Sequence, residues 1–169
     1  MPTEEVFTAP DRFRTEGHVT VSLPTMVLGM PVEGAKFRFR YGRAVEISAD
    51  KNEKLLQDYL RDNKGGLMLG EVALVGDSPI LDANRVFNSI LLDENATCHI
   101  ALGNSFPSCA EGAEEISDYS ELRKYLKEHN LNISNIHTDF MIGGPNVVVD
   151  GITKNGDVIP LIKDCKFQI

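Results

Sequence analysis

Apolar and polar residues alternate in steps of two through the first third of the chain, then change to helical spacing near residue 50. Residues 18–24, "HVTVSLP", alternate and are rich in Val and Thr. Residues 35–49, "AKFRFRYGRAVEISA", form two alternating runs around Tyr41-Gly42, which predicts a β-hairpin. In "DKNEKLLQDYLRDNKGG" the apolar positions Leu55, Leu56, Tyr59 and Leu60 recur on one helical face. Asp50 stands where a cap is needed and Gly65-Gly66 ends the element, so an amphipathic helix is predicted.

Residues 67–76, "LMLGEVALVG", read as a buried strand interrupted by one charge, Glu71. Within residues 84–103 the first part fits a short helix or a strand, whereas "TCHIALG" predicts an extended segment ending at Gly103. Residues 117–130 predict a second helix, with a Ser/Asp start and Leu122, Tyr125 and Leu126 on one face. "NIHTDFMIGG" and "NVVVDGIT" predict strands on either side of a Gly-Gly-Pro turn, and Asn155-Gly156 closes a final hairpin. No internal repeat or low-complexity linker appears. The pattern predicts a single α+β domain over residues 1–169, a mixed, strand-rich sheet with two main amphipathic helices.

Charge and cysteine usage narrow the function classes. A formal net charge of −8 argues against long-range attraction to nucleic acid or an anionic membrane surface, and a surplus of carboxylates suits divalent cations. No stretch approaches the roughly 18 apolar residues of a membrane helix. The acidic start, "MPTEEVFTAP", lacks the basic region of a signal peptide. Cys98, Cys109 and Cys165 are odd in number and follow no C-x-x-C spacing, which predicts reduced thiols in a cytoplasmic protein. Two glycosylation sequons, at Asn95 and Asn132, are read as chance.

The candidate chemistry begins at residues 137–144, "HTDFMIGG". On a strand, positions i and i+2 share a face, so His137 and Asp139 can aim at one point and offer a nitrogen and an oxygen to a cation. A solvated strand end, or an aspartate orienting a histidine, would give the same spacing. Glu71 lies in an apolar run where an unpaired carboxylate is costly, so it must be paired, protonated or metal-bound. His99 is a second ligand type in an apolar strand, with a satisfied core histidine as the alternative. Glu4 and Glu5 are adjacent like charges that also fit a solvated terminus. Together these positions supply enough donors for two cations bridged by a carboxylate. An iron site of the facial-triad type is excluded, because no histidine follows His137. A Cys98–His99 nucleophile pair is excluded because neighbours on a strand point to opposite faces.

"MPTEEVFTAP", "LGEVALV", "LLDENATCHIALG", "HTDFMIGG" and "VVVDGIT" occur in an order and spacing that resemble the M29 aminopeptidases, thermophilic-type metallopeptidases. The resemblance implies metal ligation by Glu5, Glu71, His99, His137 and Asp139. It also implies two divalent cations (zinc, cobalt or magnesium), which the notional site would share through Glu5 and a water. The expected reaction is release of N-terminal residues from peptides, and a homodimer is expected. By analogy with other di-metal peptidases Glu4 is the expected general base, with Glu94 in reserve. Two departures stand out. Phe106 occupies the position where the family has a tyrosine, removing a hydroxyl, and nothing corresponds to the family's N-terminal domain, as if the chain were a fragment. A surface insertion is expected around the second helix. The alternative function is a truncated, non-catalytic metal-binding or assembly module of the same fold.

Overall fold

The computed structural model describes residues 5–77, 79–82 and 94–168. Twelve strands occur among them: β1 (Glu5–Thr8), β2 (Gly17–Thr20), β3 (Thr25–Val27), β4 (Met30–Val32), β5 (Lys36–Arg40), β6 (Arg43–Ser48), β7 (Leu69–Val75), β8 (His99–Gly103), β9 (His137–Met141), β10 (Val148–Ile152), β11 (Val158–Lys163) and β12 (Lys166–Phe167). The longer helices are α1 (Glu53–Asp62) and the helix Tyr119–Glu128. A single turn, Pro79–Asp82, lies between them. This is the strand-rich α+β arrangement that the residue pattern predicts.

The central unit is a four-stranded antiparallel sheet in the order β1-β7-β8-β9. Its two faces differ because side chains alternate along each strand. Ile100 and Leu102 of β8 and Phe140 of β9 point into the main core, where they join Phe37 and Phe39 of β5 and Leu56 and Leu60 of α1. Leu56, Leu60, Leu102 and Phe140 are completely buried. Burial of each such side chain contributes about 1.5–3 kcal/mol before entropy is counted. The opposite face carries His99, Ala101, His137 and Asp139, which are the intervening residues of the same strands.

β9 is one of the sheet's two edge strands, and polar side chains hold it in place. Thr25 and Ser22 donate hydroxyl hydrogen bonds to the carbonyls of Asp139 and Met141, both at 3.1 Å. On the core side the Tyr59 and Thr138 hydroxyls meet at 3.1 Å, linking α1 to β9. Asn132, fully buried, donates to the carbonyls of Gly65 and Gly103 at 2.8 and 2.6 Å, and so anchors the chain just before β9. Burial of Asn95 and Asn132 leaves neither sequon open to a glycan.

The hairpin at Tyr41-Gly42 is present, with positive φ at both turn residues. The closing hairpin joins β10 and β11 in antiparallel register. The second helix starts where expected: Asp118 accepts a hydrogen bond from the Glu121 N–H at 2.9 Å. The first does not, since its N-cap is Asn52 in a left-handed conformation rather than Asp50. β3 and β4 form a hairpin that the pattern does not predict. Its turn places Leu28 at φ 49°, and leucine carries no turn signal. The ambiguous part of residues 84–103, up to residue 93, lies outside the described residues. No helix among the described residues is long and apolar enough to cross a membrane.

Candidate metal centre

Strand register places the candidate ligands on one face. Glu71 of β7, Ala101 of β8 and Asp139 of β9 lie side by side across the sheet. One step along, Ala73 of β7 and Met141 of β9 flank His99. Glu5 of β1 is opposite Val75, two residues beyond Ala73 on the same face. His137 is opposite Gly103. Five donors from four strands therefore meet over a floor of two buried alanines, Ala73 and Ala101. Larger side chains there would occupy the space between the donors.

The donors form two groups, Glu5-Glu71-His99 and Glu71-His137-Asp139, and within each group the ligand atoms all lie within 4.8 Å of one another. Donors about 2.0–2.2 Å from one ion sit about 3.4 Å apart at tetrahedral angles. The His137 Nε2–Asp139 Oδ1 separation is 3.3 Å, and His99 Nε2 lies 3.7 Å from Glu5 Oε2. His137 Nε2 donates to Glu71 Oε2 at 2.9 Å. Glu71 belongs to both groups. The sequence reading gives the shared position to Glu5, whereas the register places Glu71 between the two histidines.

Both imidazoles are oriented by backbone carbonyls. His137 Nδ1–H donates to the carbonyl of Asn104 at 2.7 Å, and His99 Nδ1 faces that of Thr97 at 3.2 Å. This leaves each Nε2 aimed at the carboxylates, the arrangement that fixes a ligating tautomer. Burial works against charge on His137, but hydrogen bonds to Asp139, Glu71 and Asn104 prevail and raise its pKa to about 10. Burial raises the Glu5 carboxyl, with Glu71 and Asp139 adding repulsion and His99 opposing. Three carboxylates and two imidazoles packed together, Glu71 and His99 buried and the others partly so, form a donor set suited to divalent cations, and the residues fit such ions.

Glu94 lies in a single 3-10 turn, Glu94–Ala96, just ahead of β8. Burial raises its carboxyl to about 7, and the nearby carboxylates of Asp139, Glu5 and Glu71 push in the same direction. Its charge thus faces the ligand cluster. Glu4 lies outside the described residues. Phe106 packs beside the site with its ring tilted against that of His137, centroids 4.8 Å apart. Cys98 points away from His99, its thiol against the backbone of Val75, and burial raises its pKa.

Residues 1–167 match the family described as thermophilic metalloprotease (M29). The chain belongs to that family. Aminopeptidase T of Thermus aquaticus is 42% identical over 170 residues, covering 100% of this chain and 40% of that protein. Aminopeptidase PepS of Streptococcus thermophilus is 39% identical over 170 residues, with coverage of 100% and 40%. The solved structure of wild-type AmpT from Thermus thermophilus superposes with a TM-score of 0.88 at 40% identity, covering 99% of this chain and 40% of that one. The chain thus spans about 40% of the length of these M29 relatives.

Two contributors to this M29 site are not evident from donor types alone. The alanine floor becomes visible only with the pairing register, although small residues two positions from His99 and Glu71 are its signal. Phe7 is signalled by its i+2 relation to Glu5 once β1 is known to be a strand.

Proposed function

We propose that the chain carries the catalytic metal centre of an M29 aminopeptidase, which releases N-terminal residues from peptides. The observation that carries this reading is the shared Glu71: one buried carboxylate joins two three-donor groups on a single sheet face. Glu5, Glu71 and His99 would hold one divalent cation, and Glu71, His137 and Asp139 the other, with zinc, cobalt or magnesium as the candidates. Bound cations supply Lewis acidity, which acidifies water and polarises a carbonyl.

The protein's own groups perform the remaining tasks. Glu94, whose carboxyl interacts with the charges of Asp139, Glu5 and Glu71, accepts the proton of the attacking water. Glu4, which lies outside the described residues, is the other candidate for this role. The carboxylates around it attract the free α-ammonium of a peptide, which favours an exopeptidase over an endopeptidase. The carbonyls of Asn104 and Thr97 hold the imidazoles in place throughout. Phe106, with no hydroxyl, gives the substrate carbonyl no hydrogen bond. A homodimer and a cytoplasmic location belong to the same proposal, the first resting on the resemblance and the second on the cysteine pattern. The alternative of a non-catalytic module gains no support from the matched relatives, which are named aminopeptidases.

The test is hydrolysis of leucine p-nitroanilide by the chain with added cobalt or zinc, alongside Glu94→Gln. The variant is expected to lose about 10²–10⁴-fold in kcat while its metal content stays the same. Metal-dependent turnover of the variant at the rate of the unmodified chain would remove Glu94 from the mechanism. Absence of turnover in the unmodified, metal-loaded chain would contradict the activity.

A further inference from the structure

Two aromatic rings stand half-exposed beside the donor cluster, where burial elsewhere in the molecule would be cheaper. Phe7 is two residues beyond Glu5 on β1, so it rises from the same sheet face, opposite Ala73. Phe106 reaches that face from the loop after β8. Its ring lies 5.4 Å from Phe7 and 4.8 Å from His137, centroid to centroid. Phe7 is 41% exposed and Phe106 42%, so the pair presents a continuous apolar edge to solvent rather than filling the core.

The rest of the site's rim has the opposite character. Glu5 lies 3.7 Å from His99, and Glu94 sits in the turn just ahead of β8. Phe106 arrives from the end where β8 stops, next to His137. Phe7 shares its row across the sheet with Ala73 and His99, and Phe106 links it to His137, so the two rings run along the donor cluster beside its carboxylates. A peptide that places its α-ammonium toward the carboxylates has its first side chain left to meet the rings. Phenylalanine at position 106 suits this use, since a bare ring adds apolar area and has no hydroxyl to desolvate.

We propose that Phe7 and Phe106 form the wall that receives the side chain of the substrate's N-terminal residue, selecting apolar side chains over small or acidic ones. This rests on the aminopeptidase reading above. The wall contributes contact area to the bound residue, and the neighbouring carboxylates repel an acidic one.

The test is calorimetric binding, without turnover, of the aminophosphonic acid analogues of leucine and glycine to the zinc-loaded chain. The readout is the ratio of the two affinities, so general damage to zinc binding cancels. The leucine analogue is expected to bind about tenfold tighter or better, in line with the effect of hydrophobic contacts on selectivity. Phe7→Ala and Phe106→Ala should each reduce the ratio at least threefold, and Phe106→Tyr, which keeps the ring, should preserve it. A ratio near one in the unmodified chain, or a ratio unchanged in both alanine variants, overturns the wall while leaving the cation site standing. Zinc binding is titrated separately. If no zinc binds, the cation site itself is refuted and the wall with it.

Discussion

Replacing Glu71 with glutamine should remove both cations, whereas changing any other ligand should remove one. The side chain is 3% exposed, and an amide of the same shape fits its space but carries no charge to share between two ions. Without metal, the change weakens a charged hydrogen bond to His137 that is worth about 1.5–3 kcal/mol. Part of that loss is offset, because the repulsion that Glu71 exerts on Glu5 disappears as well. The metal-free variant should thus fold with a loss of no more than about 3 kcal/mol. With zinc at a hundredfold excess over its dissociation constant, the unmodified protein gains about 2.7 kcal/mol per cation. For a chain of 169 residues each kcal/mol moves Tm by about 2–4 °C, so one cation raises it by about 5–11 °C and two by more. The assay is thermal unfolding by circular dichroism with and without zinc, together with metal analysis after desalting. Glu71→Gln should show almost no zinc-induced shift and no retained zinc, while Glu5→Gln and Asp139→Asn each retain one ion. Two zinc ions retained by Glu71→Gln would refute the shared role.

Three further outcomes follow from the geometry. Ala101→Leu removes no ligand yet should reduce zinc affinity at least tenfold by calorimetry, because its side chain would rise between Glu71 and Asp139. The metal-free chain should lose stability as pH rises. His137 has a folded pKa of about 10 against 6.5 unfolded, so its contribution is complete below pH 6.5 and lost as pH rises through 10. Glu94, raised from 4.5 to about 7, acts in the same direction over a lower window, and zinc should reverse the trend because its ligands must be deprotonated. Urea unfolding from pH 5 to 10 with and without zinc checks this. Gly103→Ala should destabilise by more than about 1 kcal/mol in urea, since Gly103 has φ 120° and a Cβ there would strike the carbonyl of Ile136 just before His137.

Alternation and turn chemistry made much of the fold legible. The Tyr41-Gly42 and Asn155-Gly156 turns and the two amphipathic helices all follow local rules, and they are the elements where residue pattern and structure agree. The β3–β4 hairpin escapes because Leu28 and Gly29 form its turn with only one turn-favouring residue, and the strands' other partners decide the matter. Four of the five donor positions are visible as polar residues in apolar runs or as an i, i+2 pair, and Glu5 enters only through the family resemblance. Their grouping is not visible, because it depends on which strand lies beside which. A one-residue change of register would turn Glu71 toward Phe37 and the core. For the same reason sequence reading gives the shared place to Glu5, whereas the order β1-β7-β8-β9 puts Glu71 in both donor groups, which is the basis of the shared role proposed for it.

The most direct measurement is anomalous diffraction at the zinc edge from crystals of the zinc-loaded chain. Two peaks are predicted over the sheet, both within ligand distance of Glu71, one beside His99 and Glu5 and the other beside His137 and Asp139. A map with no peak there, or with a single ion that Glu71 does not touch, would contradict the account.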